Sequence, residues 1–216
     1  MLAPDPSKVP IVSRQLPAAS ELGPAFKRYK FTEEGVSPMS IPGMDKGYYV
    51  AEGLEHTETG YPAASNYQNH VNMAQKRYKK FHAVEAIAND LVRYYGVKKP
   101  EIGVIGWGSS EGVIREAVQM AVDKGYSVGA LHPKILYPLP LAQLTEFIQG
   151  AKAVIVPELN MTGQFATLLR KRFALDFVQL NKADGLPFMP KDIFDKIEEV
   201  AKNGVHPHHR THATKL

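Results

Sequence analysis

A chain of 216 residues with 44% hydrophobic content and a net charge of +4 has enough apolar material for a proper core, which excludes a disordered protein. It contains no cysteine, which removes disulfides, thiolate metal sites, cysteine-ligated iron–sulfur clusters and a cysteine nucleophile. No run approaches the ~18 apolar residues of a membrane helix, and Met1-Leu-Ala-Pro-Asp-Pro6 lacks the basic start and apolar centre of a signal peptide, so a cytoplasmic protein is expected.

Residues 1 to 65 hold prolines at 4, 6, 10, 17, 24, 38, 42 and 62 and keep no sustained period of 2 or 3.6, so they read as an irregular Pro/Gly-rich arm. Such a stretch has no pattern that buries Phe26, Tyr29, Phe31, Tyr48, Tyr49 and Val50 within itself, and it is expected to lie on something larger. From Asn66 the apolar positions Val71, Ala74, Tyr78, Phe81, Val84, Ala88, Leu91 and Tyr95 recur at steps of three and four, which predicts one connecting helix over 66–96 with Gly96 as its left-handed stop.

Residues 97–204 then alternate strand-like and helical runs. The strands are predicted at Ile102 to Ile105, Ser127 to Leu131, Ala153 to Val156 and Phe177 to Leu180, and the helices at 111–124, 140–149, 163–172 and 191–202. Gly125, Gly150 and Gly204 are placed to close three helices, Thr162 to cap the third, and Pro190 to start the fourth. Strands and helices in this order imply an α/β fold, a mostly parallel sheet with helices on both faces. Residues 205–216, with His206, His208, His209 and His212, read as a flexible tail with at most adventitious metal affinity.

The corner Gly106-Trp-Gly-Ser-Ser-Glu-Gly112 follows the first predicted strand. It invites comparison with a dinucleotide fingerprint, but the spacing is G-x-G-x-x-x-G, and Val128-Gly-Ala-Leu-His-Pro-Lys134 lacks the acidic ribose partner. In a parallel sheet ligands gather beyond the carboxyl ends of the strands. The polar loops placed there are Gly106 to Ser110, Glu158-Leu-Asn160 and Asn181-Lys182, and Gly106, Gly108, Ser109, Ser110, Asn160, Gln164, Asn181 and Lys182 form the candidate cofactor-binding loop cluster. The plainer reading is that Asn160 and Asn181 tie down turns and that Ser109 or Ser110 caps a helix.

Other constellations fall short of a site. Glu55-His56-Thr57-Glu58 has metal-binding residue types but no second histidine at helical spacing, so a hydrogen-bonded turn is expected. Lys76-Arg-Tyr-Lys-Lys80 and Arg170-Lys-Arg172 suit a solvated face or subunit contact better than nucleic acid. No catalytic residue or metal ligand set emerges.

The order of motifs carries more. Phe31-Thr-Glu-Glu-Gly-Val-Ser-Pro38, Ile41-Pro-Gly43, Glu55-His56 with Gly60, the basic helix, Gly106-Trp-Gly-Ser109, Leu131-His132, Pro138-Leu-Pro140, Glu158-Leu-Asn160 with Gly163-Gln164, and Asn181-Lys182 with Gly185 and Pro187-Phe188 closely resemble the alpha subunit of 2-oxoacid:ferredoxin oxidoreductases, nearest the 2-oxoglutarate synthase type. Where the family commonly has Arg after Ser-Pro this chain has Met39, and Thr57 replaces the usual Asp after Glu-His.

The resemblance implies a domain like the C-terminal domain of transketolases from about residue 97, led into by the arm and helix. The family's thiamine-type pyrimidine-binding domain would precede residue 1, so a fragment, a split subunit or a short form is expected. The family reaction is the reversible, coenzyme A-dependent oxidative decarboxylation of a 2-oxoacid. Thiamine diphosphate with Mg2+ takes up the acyl carbanion, and iron–sulfur clusters pass electrons to ferredoxin. No cofactor is expected on this chain alone. The implied partners are the beta subunit, the pyrimidine-binding domain or subunit, and ferredoxin through the assembly, with no nucleic acid or membrane. The alternative is a free-standing nucleotide- or CoA-binding α/β domain using the Gly106–Gly112 loop.

Overall fold

A computed structural model describes residues 5–10 and 12–204, so the histidine-rich tail lies outside the described residues. The chain divides into two compact units, Met1–Ala83 and Val84–Leu216, and the division falls inside helix α1 (Tyr67–Asp90).

The second unit is built on a five-stranded sheet of β1 (Val92–Gly96), β2 (Ile102–Ile105), β3 (Val128–Pro133), β4 (Ala153–Glu158) and β5 (Val178–Asn181), in the order β1-β3-β2-β4-β5. Strands β3, β2, β4 and β5 are parallel, with Ile102 opposite both Val128 and Ala153. The three central strands are buried at every position, as a strand covered on both faces requires, which is why they read as unbroken apolar runs.

Helices α2 (Glu111–Asp123) and α5 (Pro190–Lys202) cover one face, where Ile114, Val118, Ile193 and Ile197 pack on Val104, Ala130 and Ile155. Helices α3 (Leu141–Gly150) and α4 (Gln164–Phe173) cover the other, where Leu144, Phe147, Phe165 and Leu169 pack on Ile105, Leu131, Val154 and Val156. The mostly parallel, doubly covered α/β sheet expected from the sequence is the observed architecture.

One strand was not foreseen. The helix expected to run to Tyr95 closes at Asp90, and Val92–Gly96 pairs antiparallel with Gly129–Pro133 at the sheet edge. Leu91 and Tyr95 fit helical spacing, but Val92, Tyr94 and Tyr95 are also strand formers, and the ladder gives their backbone groups partners that the end of a helix would not. Tyr94 meets Phe147 on the α3 side at 6.3 Å, while Tyr95 packs with the α2 cluster. Gly96 does take a positive φ of 70°, yet as a strand residue: a Cβ there would lie 2.5 Å from Val118 Cγ1 and 2.6 Å from the Val128 carbonyl oxygen.

Two of the three glycine stops hold, Gly125 and Gly204 at φ 88° and 78°. Gly150 is instead the last residue of α3, and the chain leaves through extended Ala151. Pro190 begins α5 as expected, and Asp192 Oδ2 accepts the Met189 N–H at 2.9 Å to close its first turn.

In the first unit, residues up to Pro62 form turns, two single-turn 3-10 helices (Pro6–Lys8 and Ala19–Glu21) and a bridge of His56 with Pro62, with no strand among the described residues. They pack with the first part of α1, where Phe26 and Met73 are buried. Gly35, at φ 76°, sits so close to α1 that an added Cβ would lie 2.3 Å from the Lys76 carbonyl oxygen. The Glu55–Glu58 stretch is a hydrogen-bonded turn, with Thr57 N–H on Tyr61 O at 2.9 Å and Gly60 N–H on Thr57 O at 3.0 Å. Glu55 is held by Arg77 Nη2 at 2.7 Å and His70 Nδ1 at 2.9 Å.

Candidate functional site

The chain leaves β2 toward β3 on one side and leaves β4 toward β5 on the other, so the carboxyl ends of β2 and β4 form the topological switch point where such sheets hold ligands. Trp107, Ser109, Ser110, Pro157, Glu158 and Leu159 line a cavity there of only about 60 Å³. That is room for water-sized groups, far below the hundreds of Å³ a nucleotide needs.

The chain's own side chains meet the backbone donors at the start of α4, where an incoming anion would be welcomed. At the start of α4, Asn160 Oδ1 accepts the N–H groups of Thr162, Gly163 and Gln164 at 3.2, 2.7 and 3.3 Å. Glu158, 1% exposed, takes the next two: Oε2 accepts from Phe165 N and Oε1 from Ala166 N, each at 2.8 Å. Asn160 Nδ2 donates to Glu158 Oε2 at 2.8 Å and locks the pair. Thr162, expected as the cap, is not one; α4 starts from left-handed Gly163, at φ 63°. A Cβ on Gly163 would lie 2.4 Å from Gln179 Oε1 and 3.3 Å from Asn181 Nδ2, so the close approach of β5 excludes any larger residue.

At the start of α2, Glu111 accepts from Arg93 Nη1 at 2.9 Å, from Tyr95 OH at 2.5 Å and from Lys134 Nζ. The Lys134 and Tyr95 hydrogen bonds hold its carboxyl at about 2, well below the ordinary range. His132 is buried on the same sheet face, opposite Arg93 in the ladder, with the Gly108 backbone beside its ring. Burial pushes its pKa below the ordinary histidine value, against the pull of Glu111.

The candidate loop residues therefore fall into separate groups. Gly106 lies against α2, where a Cβ would be 2.0 Å from Ile114 Cδ1, and Gly108 takes φ 62° in open space. Ser110 does not cap α2: its hydroxyl donates to the Trp107 carbonyl at 2.8 Å, while Ser109 is exposed. Asn160, Gln164 and Asn181 cluster around the α4 start, with Asn181 Nδ2 on Gln179 Oε1 at 3.0 Å and Met161 O at 3.3 Å. The Lys182 ammonium goes elsewhere, to Pro187 O at 3.1 Å and Asp192 Oδ2 at 3.3 Å.

Of the residues that organise this edge, Glu158 lies in a loop that the sequence places at the strand ends, though outside the candidate cluster, and the Arg93–Tyr95–Glu111–Lys134 network is not anticipated there. An acidic residue opening a helix was the available signal for Glu111. Among the described residues no three of His, Cys, Asp or Glu gather where a metal could be held, and the chain has no cysteine, so its residues do not fit an iron–sulfur cluster.

Residues 100–186 match the family model for the pyruvate:ferredoxin oxidoreductase core domain II. They form such a core domain II. Relatives extend the match beyond it. The alpha subunit of 2-oxoacid:ferredoxin oxidoreductase 2 from Aeropyrum pernix is 30% identical over 93% of this chain and 31% of its own length. The 2-oxoglutarate oxidoreductase subunit KorA of Mycobacterium tuberculosis is 31% identical over 88% of this chain and 29% of its own. Among solved structures, the 2-oxoglutarate:ferredoxin oxidoreductase from Magnetococcus marinus, with 2-oxoglutarate, coenzyme A and succinyl-CoA bound, superposes with a TM-score of 0.80 at 36% identity, covering 91% of this chain and 34% of that one. The chain thus spans about a third of the length of these proteins. Core domain II and the stretch before it are both covered.

Proposed function

We propose that this chain serves as the core domain II region of the alpha subunit of a thiamine-diphosphate-dependent 2-oxoacid:ferredoxin oxidoreductase, with 2-oxoglutarate as the substrate. The supporting observation is the 36% identity and TM-score of 0.80 to the Magnetococcus marinus enzyme across 91% of the chain, taking in both units. Its contribution is assembly and not cofactor chemistry, because Glu158 and Asn160 already take the backbone donors at the start of α4 and the Glu111 carboxylate answers the cationic groups of Arg93 and Lys134. Thiamine diphosphate, Mg2+, iron–sulfur clusters and coenzyme A belong to the rest of the assembly, together with the beta subunit, the pyrimidine-binding domain and the route to ferredoxin.

Co-expression tests this. With a beta subunit and pyrimidine-binding region of the 2-oxoglutarate type, the chain should co-purify, and the complex should reduce ferredoxin with 2-oxoglutarate and coenzyme A. The chain alone, supplied with thiamine diphosphate and Mg2+, should not. Turnover by the partner-free chain overturns the proposal, as does a chain that binds NADP or coenzyme A saturably and ignores the beta subunit.

A further inference from the structure

The first unit contains a buried cation without a counter-charge. Lys76 lies mid-helix in α1 and is only 8% exposed, yet Nζ makes a single hydrogen bond, to the Gly35 carbonyl at 3.3 Å, and no ion pair among the described residues. Buried lysines are ordinarily paired, because removing an ammonium from water costs more than one carbonyl returns. Its charged neighbours make the deficit larger. Arg28, Arg77 and Lys80 repel it, and Glu58, a carboxylate that pulls the other way, is engaged by Lys27 Nζ at 2.7 Å and by the Phe31 N–H at 2.9 Å. Burial first, and then these cations, lower the Lys76 pKa to about 8, so the side chain is still mostly protonated at neutral pH. Arg28 adds to the imbalance: its Nε is buried without a partner, and its guanidinium lies 5.1 Å from the Tyr29 ring centre.

A cavity of about 150 Å³ opens at this lysine, lined by Phe31, Thr32, Asn72, Gln75, Lys76 and Lys79. Two lysines and no acidic residue are among its lining residues. The Asn72 carbonyl already accepts from Gln68 Nε2 at 3.0 Å, and the Thr32 hydroxyl donates to Val36 O at 3.0 Å. What Asn72 still offers is its amide N–H2, so the unspent polar capacity of the wall is mostly donors. The Gly35 turn is pressed onto α1 beside Lys76 and Lys79.

We propose that this cavity binds a small oxyanion, a carboxylate or phosphate group, with Lys76 and Lys79 as its charge partners and Asn72 and Gln75 as hydrogen-bonding neighbours. At 150 Å³ it takes one such head group and excludes a nucleotide. Nothing in the oxidoreductase reading requires this site, and it stands or falls independently of it.

The test uses the full chain at constant ionic strength in chloride, with inorganic phosphate added in one arm and succinate in the other. At least one of them should raise the melting temperature saturably and slow acylation of Lys76, read by peptide mass spectrometry, at least tenfold. Lys76→Met should weaken that binding at least tenfold, and Asn72→Leu severalfold. A response to phosphate alone identifies a phosphate site, and a response to succinate, alone or with phosphate, a carboxylate-accepting one. Equal melting and equal acylation in chloride, phosphate and succinate overturn the proposal, as does undiminished binding by both variants. If Lys76→Met does not fold, acylation of the parent chain together with Asn72→Leu decides.

Discussion

Glu158 and Asn160 divide the start of α4 between them: Asn160 takes the N–H groups of residues 162, 163 and 164, Glu158 those of 165 and 166, and a 2.8 Å hydrogen bond joins the two side chains. Five consecutive backbone donors are met by two residues at the end of β4. Helix starts ordinarily leave four donors for caps, water or ligands to satisfy, so at this helix nothing remains for a ligand.

Removing the Glu158 carboxylate should therefore cost stability. Glu158→Leu leaves the buried N–H groups of Phe165 and Ala166 without acceptors and should destabilise the second unit by about 2–4 kcal/mol. Glu158→Gln retains one good acceptor and should cost about half as much. Denaturant unfolding measures both. A Glu158→Leu protein that unfolds like the parent would refute the capping role.

The glycine corner after β2 makes two different predictions. Gly106→Val should cost about 3 kcal/mol or more, because its Cβ would be placed 2.0 Å from Ile114 Cδ1 in a packed core. Gly108 faces open space and is held only by its φ of 62°, so Gly108→Ala should cost about 1 kcal/mol of backbone strain and no packing. Thermal melting distinguishes them, and equal losses would show that one cause acts at both.

Much of the second unit was legible because its physics is local. Unbroken apolar runs at Ile102–Ile105 and Ala153–Val156 can only be central strands in a chain with helices between them, and the apolar spacing of α2 and α5 names their buried faces. Strand β1 was not legible, since Tyr94 and Tyr95 satisfy helical and strand patterns alike and the deciding ladder comes from Gly129–Pro133, far along the chain. The site network depends on that same ladder: pairing Arg93 with His132 brings Arg93, Tyr95 and Lys134 to Glu111. The Glu158-Leu-Asn160 loop was placed at the strand ends, but the capping role of Glu158 was not legible, because the Phe165 and Ala166 N–H groups it accepts leave no signature in side-chain identity.

Glu111 should make the chain acid-sensitive in a defined window. Its folded pKa of about 2 lies below the ordinary 4.5, so its interactions stabilise the fold fully above about pH 4.5 and are lost as the pH falls toward 2. Buried His132 adds a second loss that begins higher, because its lowered pKa leaves the unfolded chain binding its proton first. Glu111→Gln should flatten the dependence between pH 4.5 and 2 while enlarging the histidine part, because the pull of Glu111 on His132 is lost, and should cost about 1–2 kcal/mol at neutral pH after allowance for solvent screening. Urea unfolding across pH 2 to 7 reads both; an unchanged slope in the variant would remove Glu111 as the source.

Lys76 adds a slope of the same sign at alkaline pH, arising from a charge that burial penalises and not from one that its partners stabilise. Its folded pKa of about 8 lies below the 10.5 of an unhindered lysine, so between those values the unfolded chain binds more protons and stability rises with pH as the strain of the buried charge is relieved. Below pH 8 the full penalty applies, and at neutral pH in plain chloride Lys76→Met should be more stable than the parent, since a neutral thioether on a similar stem needs no counter-charge. The advantage should shrink from pH 8 and be gone near 10.5. Comparing the two proteins isolates this lysine, because the tyrosines that titrate in the same range are common to both. A parent that is more stable than Lys76→Met at pH 7 would mean that the hydrogen bond to Gly35 outweighs the buried charge, and would take away the energetic reason for an anion to bind there.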